Sequence, residues 1–284
     1  MNILKVKNLY YLGPEGTYSG LAMRNFVKKY NIIAENIIPM SPITAIIRAV
    51  DCDKNSIAVL PIENSIEGIV RETIDNLIKI KDESVKISAE TIIPISHCLM
   101  SSASDISEVK HILSHPQALG QCSGYICENL KNCDVTETFS TSAAAKLAKE
   151  KGSEFAAIAS KNAAEIFNLN ILAEQINDEK DNETRFILLS RHIPDATGMD
   201  KTNLFFAVKN EPGSLVKVLN VFHKHNINLI YIESRPSKKK MGEYNFCVDL
   251  EGHISDENIS SAIEDIKGIT NKIIFTGSYA RFNK

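Results

Sequence analysis

INDEKDNETRFILLSRHIPDATGMDKTNLFFAVK, residues Ile176–Lys209, decides how the chain is organised. Phe186–Leu189 is an unbroken apolar run, the pattern of a buried strand. The next segment, RHIPDATGMDK, holds Pro194, Gly198 and several charges with little to bury, and reads as a linker over 191–201. TNLFFAVK, Thr202–Lys209, is strand-like again and opens a different rhythm. The stretch predicts one domain over 1–190 and a second over 202–284.

Upstream of the linker, short apolar runs alternate with segments of helical period. NLYYL, SIAVL, VKHIL, FAAIA and FILLS read as strands. Leu21, Ala22, Phe26 and Val27 share one helical face, as do Val70, Ile74, Leu77 and Ile78. That alternation predicts α/β layers. Downstream, TNLFFAVK, NLIYIES, EYNFCVDL and KIIFTGSY read as strands, with turn-like SKKKMG between the second and third. Leu215, Val218, Leu219 and Phe222 make one helix stripe, and Ile259, Ala262, Ile263 and Ile266 another. The order is β-α-β-β-α-β, a ferredoxin-like domain.

Composition narrows the function. The chain has 284 residues, 44% hydrophobic and 24% charged, which suits two globular domains. A net charge of -3 without a long basic run argues against nucleic acid as a partner. No apolar stretch spans a bilayer and the first residues lack a signal-type apolar region, so a soluble, cytoplasmic protein is expected, with no membrane partner. The six cysteines form no CxxC pair and the seven histidines no HExxH pattern, so thiols rather than metal ligands are expected and no metal is predicted.

Four polar loops share one design, each placed between a strand-like run and a helix-like run. They are GPEGTYS (Gly13–Ser19), IENSIEG (Ile62–Gly68), SHPQAL (Ser114–Leu119) and FSTSAA (Phe139–Ala144). Unpaired N–H groups at a helix start attract anions. Gly13 and Gly16 permit close backbone approach, and Asn64 with Glu67 has capping-box spacing. Pro116 suits a first helical position after His115, and Ser140, Thr141 and Ser142 are natural N-caps. Caps alone would explain each loop singly. Four together, with hydroxyls at Thr17, Ser19, Ser65 and Thr141, point to a small anionic ligand. Beside them, Thr184, Arg185 and Phe186 place a hydroxyl, a guanidinium and a ring at the mouth of a strand. Arg185 is suited to a two-pronged carboxylate contact or to an ion pair with Asp178 or Glu183, and Phe186 to the core or a cleft wall.

These segments carry a resemblance. YLGPEGTYS resembles the first signature of the prephenate dehydratases, with Tyr18 where phenylalanine is usual. LPIENSIEGIVRETID, SHPQALGQC and STSAAA are similar to the next three signatures. IND followed by NETRF, with Asp178, Asn182, Thr184, Arg185 and Phe186, resembles the one around that family's catalytic threonine. NEPGSLVKVL is similar to the effector loop of an ACT domain, with Ser214 where alanine is commoner, and IESRP (Ile232–Pro236) to its partner motif in phenylalanine-regulated members.

The resemblance implies two α/β lobes with a cleft, in the manner of type II periplasmic binding proteins, followed by a ferredoxin-like ACT domain. It implies conversion of prephenate to phenylpyruvate, carbon dioxide and water, without metal or organic cofactor. Thr184 would be catalytic, and Thr17, Ser19, Asn64, Ser65, Thr141, Arg185 and Phe186 would bind substrate. L-Phenylalanine would be held by Asn210, Pro212, Gly213, Ser214 and Leu215 together with Glu233, Ser234, Arg235 and Pro236, between ACT domains of a homodimer or homotetramer. Arogenate as substrate, or a non-catalytic anion-binding role, are the alternatives.

Overall fold

The computed structural model describes residues 4–80, 85–236 and 244–283. In chain order the elements are β1 (Leu4–Leu12), α1 (Tyr18–Tyr30), β2 (Ile32–Met40), α2 (Ile43–Cys52), β3 (Ser56–Asn64), β4 (Gly68–Ile69), α3 (Arg71–Leu77), β5 (Lys86–Pro94) and β6 (His97–Ser101). They continue with β7 (His111–Ser114), α4 (Pro116–Gln121), α5 (Ser123–Asn129), β8 (Asp134–Glu137), α6 (Thr141–Lys151), β9 (Phe155–Ser160), α7 (Lys161–Phe167), β10 (Asn170–Ala173) and β11 (Glu183–Ser190). The last six are β12 (Asp200–Ala207), α8 (Ser214–Lys224), β13 (Leu229–Pro236), β14 (Tyr244–Glu251), α9 (Glu257–Lys267) and β15 (Lys272–Ala280). No helix among the described residues is long and apolar enough to cross a membrane.

The chain forms two compact units that are not contiguous in sequence. One takes in the residues to Ile46, Val59–Val70 and Thr91–Phe186; the other Ile47–Ala58, Arg71–Glu90 and Ile187 onward. The predicted domains, by contrast, are contiguous.

Two sheets make up the α/β part. One has the order β2-β1-β3-β11-β5, with β4 folded back on β3 as a hairpin. The other, wholly within the first unit, has the order β10-β6-β9-β7-β8. Its neighbours β9, β7 and β8 are parallel, so their C-terminal ends lie on one edge. From those ends start α7, α4 and α6, capped by the side chains of Ser160, His115 and Ser140. The apolar run FAAIA is β9, buried against alanines 144, 145 and 148 of α6. Small side chains let that helix lie close to the sheet. Helix α1 buries Ala22, Met23 and Phe26, while Leu21 and Val27 lie at the margin of that face.

The second unit contains the predicted β-α-β-β-α-β pattern. Its sheet runs β13-β14-β12-β15, every neighbouring pair antiparallel. Val218 and Phe222 of α8 and Ile259, Ala262, Ile263 and Ile266 of α9 pack on Leu204, Phe206 and Val248 of the sheet, with Leu215 and Leu219 partly buried beside them. The turn-like SKKKMG lies outside the described residues.

Two expectations are corrected. The linker reading took in Asp200 and Lys201, but both belong to β12 and are buried. Lys201 reaches Glu90 Oε2 at 3.0 Å and Asp249 Oδ2 at 3.7 Å, so a charge that looked like linker is a paired core group. The Asn64–Glu67 spacing does not open a helix. Residues 65–67 turn into β4, and α3 begins at Arg71. Strand pairing of Gly68 with Asn64 and Ile69 with Glu63 outcompetes the local helix signal.

Candidate active site

Asn64 is the centre of a buried polar cluster in the first unit. Its Oδ1 accepts the backbone N–H groups of Ile66 (3.1 Å) and Glu67 (3.0 Å), an Asx turn that shapes the hairpin. The same side-chain acceptor that would cap a helix here closes a turn into β4. With Oδ1 so engaged, Nδ2 must face the other way, where it donates to Asn182 Oδ1 (2.7 Å), Glu183 O (3.1 Å) and Thr184 Oγ1 (2.9 Å). Ser65 ties the hairpin to the same strand: its N–H donates to Glu183 O and its Oγ accepts Glu183 N–H, both at 2.9 Å.

That orientation propagates. Asn182 presents Oδ1 to Asn64, so its Nδ2 donates to Gln121 Oε1 at 3.2 Å. His97 Nε2 lies 3.3 Å from the same oxygen. A carbonyl oxygen only accepts, so His97 carries its proton on Nε2. Flipping any one amide would set donor against donor, back to the fixed N–H groups of Ile66 and Glu67. His97 is buried; desolvation pushes its pKa down to about 4, against the opposing effect of the Gln121 hydrogen bond. The ring is therefore a neutral donor at physiological pH.

The first polar loop, Gly13–Ser19, is seated on the starts of α6 and α7. Ser142 Oγ donates to Glu15 O, and Ser160 Oγ donates to Gly16 O at 3.1 Å. Gly16 has φ +85°, and a Cβ there would meet Ser142 Oγ at 2.7 Å, so the loop requires glycine. Tyr18 continues the contact. Its hydroxyl donates to Ser96 O (2.5 Å) and accepts from Ser96 N–H (3.0 Å), with its ring edge-on to His97.

The structure sorts the residues singled out in sequence. Thr184, Asn64, Ser65 and Asn182 come together, and Gln121, His97 and Ser160, which sequence reading did not single out, belong beside them or beside the first loop. Thr17 is the N-cap of α1: its Oγ1 donates to Leu12 O at 3.1 Å and accepts Gly20 N–H at 3.3 Å. Thr141 is the first residue of α6, while Ser140 is its cap. Ser19 is buried in α1, and no hydrogen bond among the described residues joins Thr17, Ser19 or Thr141 to Thr184. Arg185 is buried with Nε 3.1 Å from Glu63 Oε2, its N–H angled off the hydrogen-bond line. Asp178 is not its partner. That carboxylate accepts from Ser123 Oγ and Gly124 N–H at the start of α5. Phe186 is 2% exposed, a core residue.

In the second unit, Asn210, Pro212 and Gly213 form an exposed turn, and Gly213, at φ +82°, leads into Ser214 and Leu215 of α8. Glu233, Ser234, Arg235 and Pro236 close β13, which among the described residues pairs only with β14. Side chains alternate there, with Glu233 and Arg235 partly buried and Ser234 and Pro236 exposed. Arg235 Nη2 sits 3.2 Å from Asp75 Oδ1 on α3. His223-Lys224-His225 is an HxH spacing at the end of α8, and His225 there pairs with Asp265 at 2.8 Å. No group of three or more His, Cys, Asp or Glu placed to hold a metal occurs among the described residues.

Comparison with known proteins bears on this geometry. The sequence model of the family "Prephenate dehydratase" matches residues 9–194, and that of the ACT domain matches residues 202–268. A prephenate dehydratase of Methanocaldococcus jannaschii is 38% identical over 281 residues, covering 98% of this chain and 99% of that protein. The crystal structure of a prephenate dehydratase from Arthrobacter aurescens in complex with L-Phe superposes with a TM-score of 0.86 at 33% identity, over 96% of this chain and 90% of the other. GqqA, described as a novel type of quorum-quenching acylase, superposes with a TM-score of 0.84 at 28% identity, over 97% and 98%.

Proposed function

The chain belongs to the prephenate dehydratase family, and we propose that its reaction is driven through the hydroxyl of Thr184. The observation that carries this is the hydrogen bond from Asn64 Nδ2 to Thr184 Oγ1. It occupies the oxygen as acceptor and leaves the Thr184 proton to be given elsewhere.

Prephenate has two carboxylates and a ring hydroxyl. Its ring carboxylate leaves as carbon dioxide, the C–C electron pair enters the ring, and the hydroxyl leaves from the opposite end of the ring as hydroxide, which becomes water by taking up one proton, drawn in net from solvent. Aromatisation supplies the driving force. The site has to orient a dianion, withdraw the ring carboxylate from water and assist the departing oxygen. A threonine hydroxyl is too weak an acid to give its proton freely. It serves by hydrogen-bonding the departing oxygen, with proton transfer late, which is typically worth about 10²–10⁴-fold in rate.

In this reading Arg185 and Thr141 meet the carboxylates. Ser19 shapes the wall and Phe186 backs the substrate from the core, while Thr17, Asn64 and Ser65 hold the loops in place. L-Phenylalanine is the effector, held by Asn210–Leu215 and Glu233–Pro236 between the second domains of neighbouring subunits of a homo-oligomer. The likeness to a prephenate dehydratase solved with L-Phe supports that reading. The enzyme works in the cytoplasm, and the domain limits are 1–190, 191–201 and 202–284, less the two residues that β12 claims.

The acylase likeness favours a second reading, amide hydrolysis. That chemistry needs a base to take the nucleophile's proton. Among the described residues the side-chain hydrogen-bond partner of Thr184 Oγ1 is an amide donor, which cannot accept one. The lyase reading is therefore preferred. Phenylpyruvate formation from prephenate, with and without L-phenylalanine and against an enzyme-free control, tests it. Turnover suppressed by phenylalanine supports both halves of the proposal. A folded protein that leaves prephenate untouched removes the catalytic half.

A further inference from the structure

His97 belongs to no motif read from the sequence, yet it ends the chain of hydrogen bonds that starts at Thr184. The links are Thr184 Oγ1 to Asn64 Nδ2 (2.9 Å), Asn64 Nδ2 to Asn182 Oδ1 (2.7 Å), Asn182 Nδ2 to Gln121 Oε1 (3.2 Å) and Gln121 Oε1 to His97 Nε2 (3.3 Å). We infer that His97 is a positioning residue. As an Nε2–H donor it holds the Gln121 amide, and through Asn182 and Asn64 it keeps the Thr184 hydroxyl aimed outward as a donor.

Three observations carry this. First, the histidine is itself clamped. Its backbone N–H donates to Asn177 Oδ1 at 2.6 Å, its backbone O accepts Ile176 N–H at 3.0 Å, and the Tyr18 ring stands edge-on with centroids 6.0 Å apart. Second, the Gln121 oxygen is held from two sides, by His97 and Asn182, while Gln121 Nε2 is buried without a protein acceptor among the described residues. A rotated Gln121 amide would recover nothing on that side and would oppose Asn182 Nδ2, so His97 guards one orientation of a side chain that has two. Third, imidazolium would keep the Nε2–H but add a buried charge, and burial holds the ring neutral instead. A neutral ring supplies the donor at Nε2 without setting a buried charge beside Gln121.

The inference rests on the lyase reading of Thr184, and the test separates the two. Prephenate turnover by the full-length chain is measured beside His97→Phe, which keeps the ring shape and loses the donor, and His97→Gln, which returns an N–H near the position of Nε2. His97→Phe is expected to lose about 10- to 100-fold in kcat with KM changed less, as a misaimed group does. His97→Gln is expected to recover most of that loss. Equal loss in the two variants, or normal kcat in His97→Phe, overturns the inference.

Nitrogen-15 chemical shifts of the His97 ring in the unmutated protein give an activity-free readout, valid even where His97→Phe does not fold. A proton on Nε2 and a bare Nδ1 near neutral pH are expected. A proton on Nδ1 overturns the inference. Absence of turnover in the unmutated enzyme, with the Nε2–H form present, would remove the lyase reading and leave the hydrogen-bond chain standing.

Discussion

Asn64 Nδ2 donates to Thr184 Oγ1 across 2.9 Å, and the direction of that bond decides what the threonine can do. An oxygen that accepts from an amide holds its own proton free for a third group. Thr184→Ala should then lose about 10²–10⁴-fold in kcat, with a smaller change in KM. Thr184→Ser keeps the oxygen and should retain a good part of the activity. Steady-state rates of phenylpyruvate formation decide it. Near-normal kcat in the alanine variant would remove the role given to the hydroxyl.

Asn64→Asp tests the same bond from its other end. The carboxylate still accepts from Ile66 and Glu67 N–H, so the hairpin keeps its turn. Its second oxygen would confront Asn182 Oδ1 and Glu183 O, both acceptors, and would draw the Thr184 proton inward. An unsatisfied or opposed buried polar group costs about 1–3 kcal/mol. Lower stability in denaturant melts and a kcat loss comparable with that of Thr184→Ala are expected. An Asp variant as active as the unmutated enzyme would mean that the amide does not orient the hydroxyl.

Legibility in the sequence followed the range of the forces involved. The βαββαβ domain was readable because its helices bury one stripe each, Val218 with Phe222 and Ile259 with Ile266, and periodicity reports burial directly. Thr184 and Asn64 were readable because they sit in signature segments. His97 and Gln121 were not, because their meaning lies in contacts 24 and 61 residues apart in sequence that no local pattern encodes. The Asn64–Glu67 spacing misled for a related reason. An Asx turn and a helix cap use the same side-chain acceptor for the same N–H groups, and only the strand pairing that follows separates them. Arg185 is legible in sequence as a cation for a ligand carboxylate or for Asp178 or Glu183, but the carboxylate beside it is Glu63, on the neighbouring strand β3 and far away in sequence.

Tyr18 replaces the phenylalanine usual in the resembling family, and its hydroxyl answers both backbone groups of Ser96. Tyr18→Phe would leave that donor and acceptor without their partner next to His97. A stability loss of about 1–3 kcal/mol is expected. Thermal unfolding measures it. An unchanged melting temperature would show that water or a small shift replaces the phenol at no cost.

His97 also gives the fold a defined acid response. The unfolded ring titrates near about 6.5, and burial lowers the folded value to about 4. Between those values the unfolded chain takes up a proton that the folded chain refuses, so stability is fully present above the higher value and declines as pH falls toward the lower one. The two-and-a-half-unit gap amounts to roughly 3 kcal/mol. Its neighbours Tyr18, Cys98 and Cys122 have their pKa values raised, and stay neutral across this window. Denaturant melts at pH 7 and pH 4.5 should show the loss, and His97→Gln should flatten it. An equally steep decline in His97→Gln would assign the acid response to other groups.

Arg235, within the β13 segment proposed to hold the effector, joins the end of that strand to α3 through Asp75 at 3.2 Å. Asp75 lies in α3, the helix that follows the β3-β4 hairpin bearing Asn64, so the partner of Arg235 is close along the chain to that hairpin. A coupling of about 1–3 kcal/mol between two such sites corresponds to roughly a 5- to 150-fold change in response. Arg235→Ala should therefore raise the phenylalanine concentration that gives a half-maximal effect at least about 5-fold. Asp75→Asn, which keeps the shape of the partner and removes its charge, should move it in the same direction by less. Phenylpyruvate formation titrated with phenylalanine in the three proteins checks this. Identical titration curves would detach Arg235 from the effector site and leave the pair as a structural tie within the second unit.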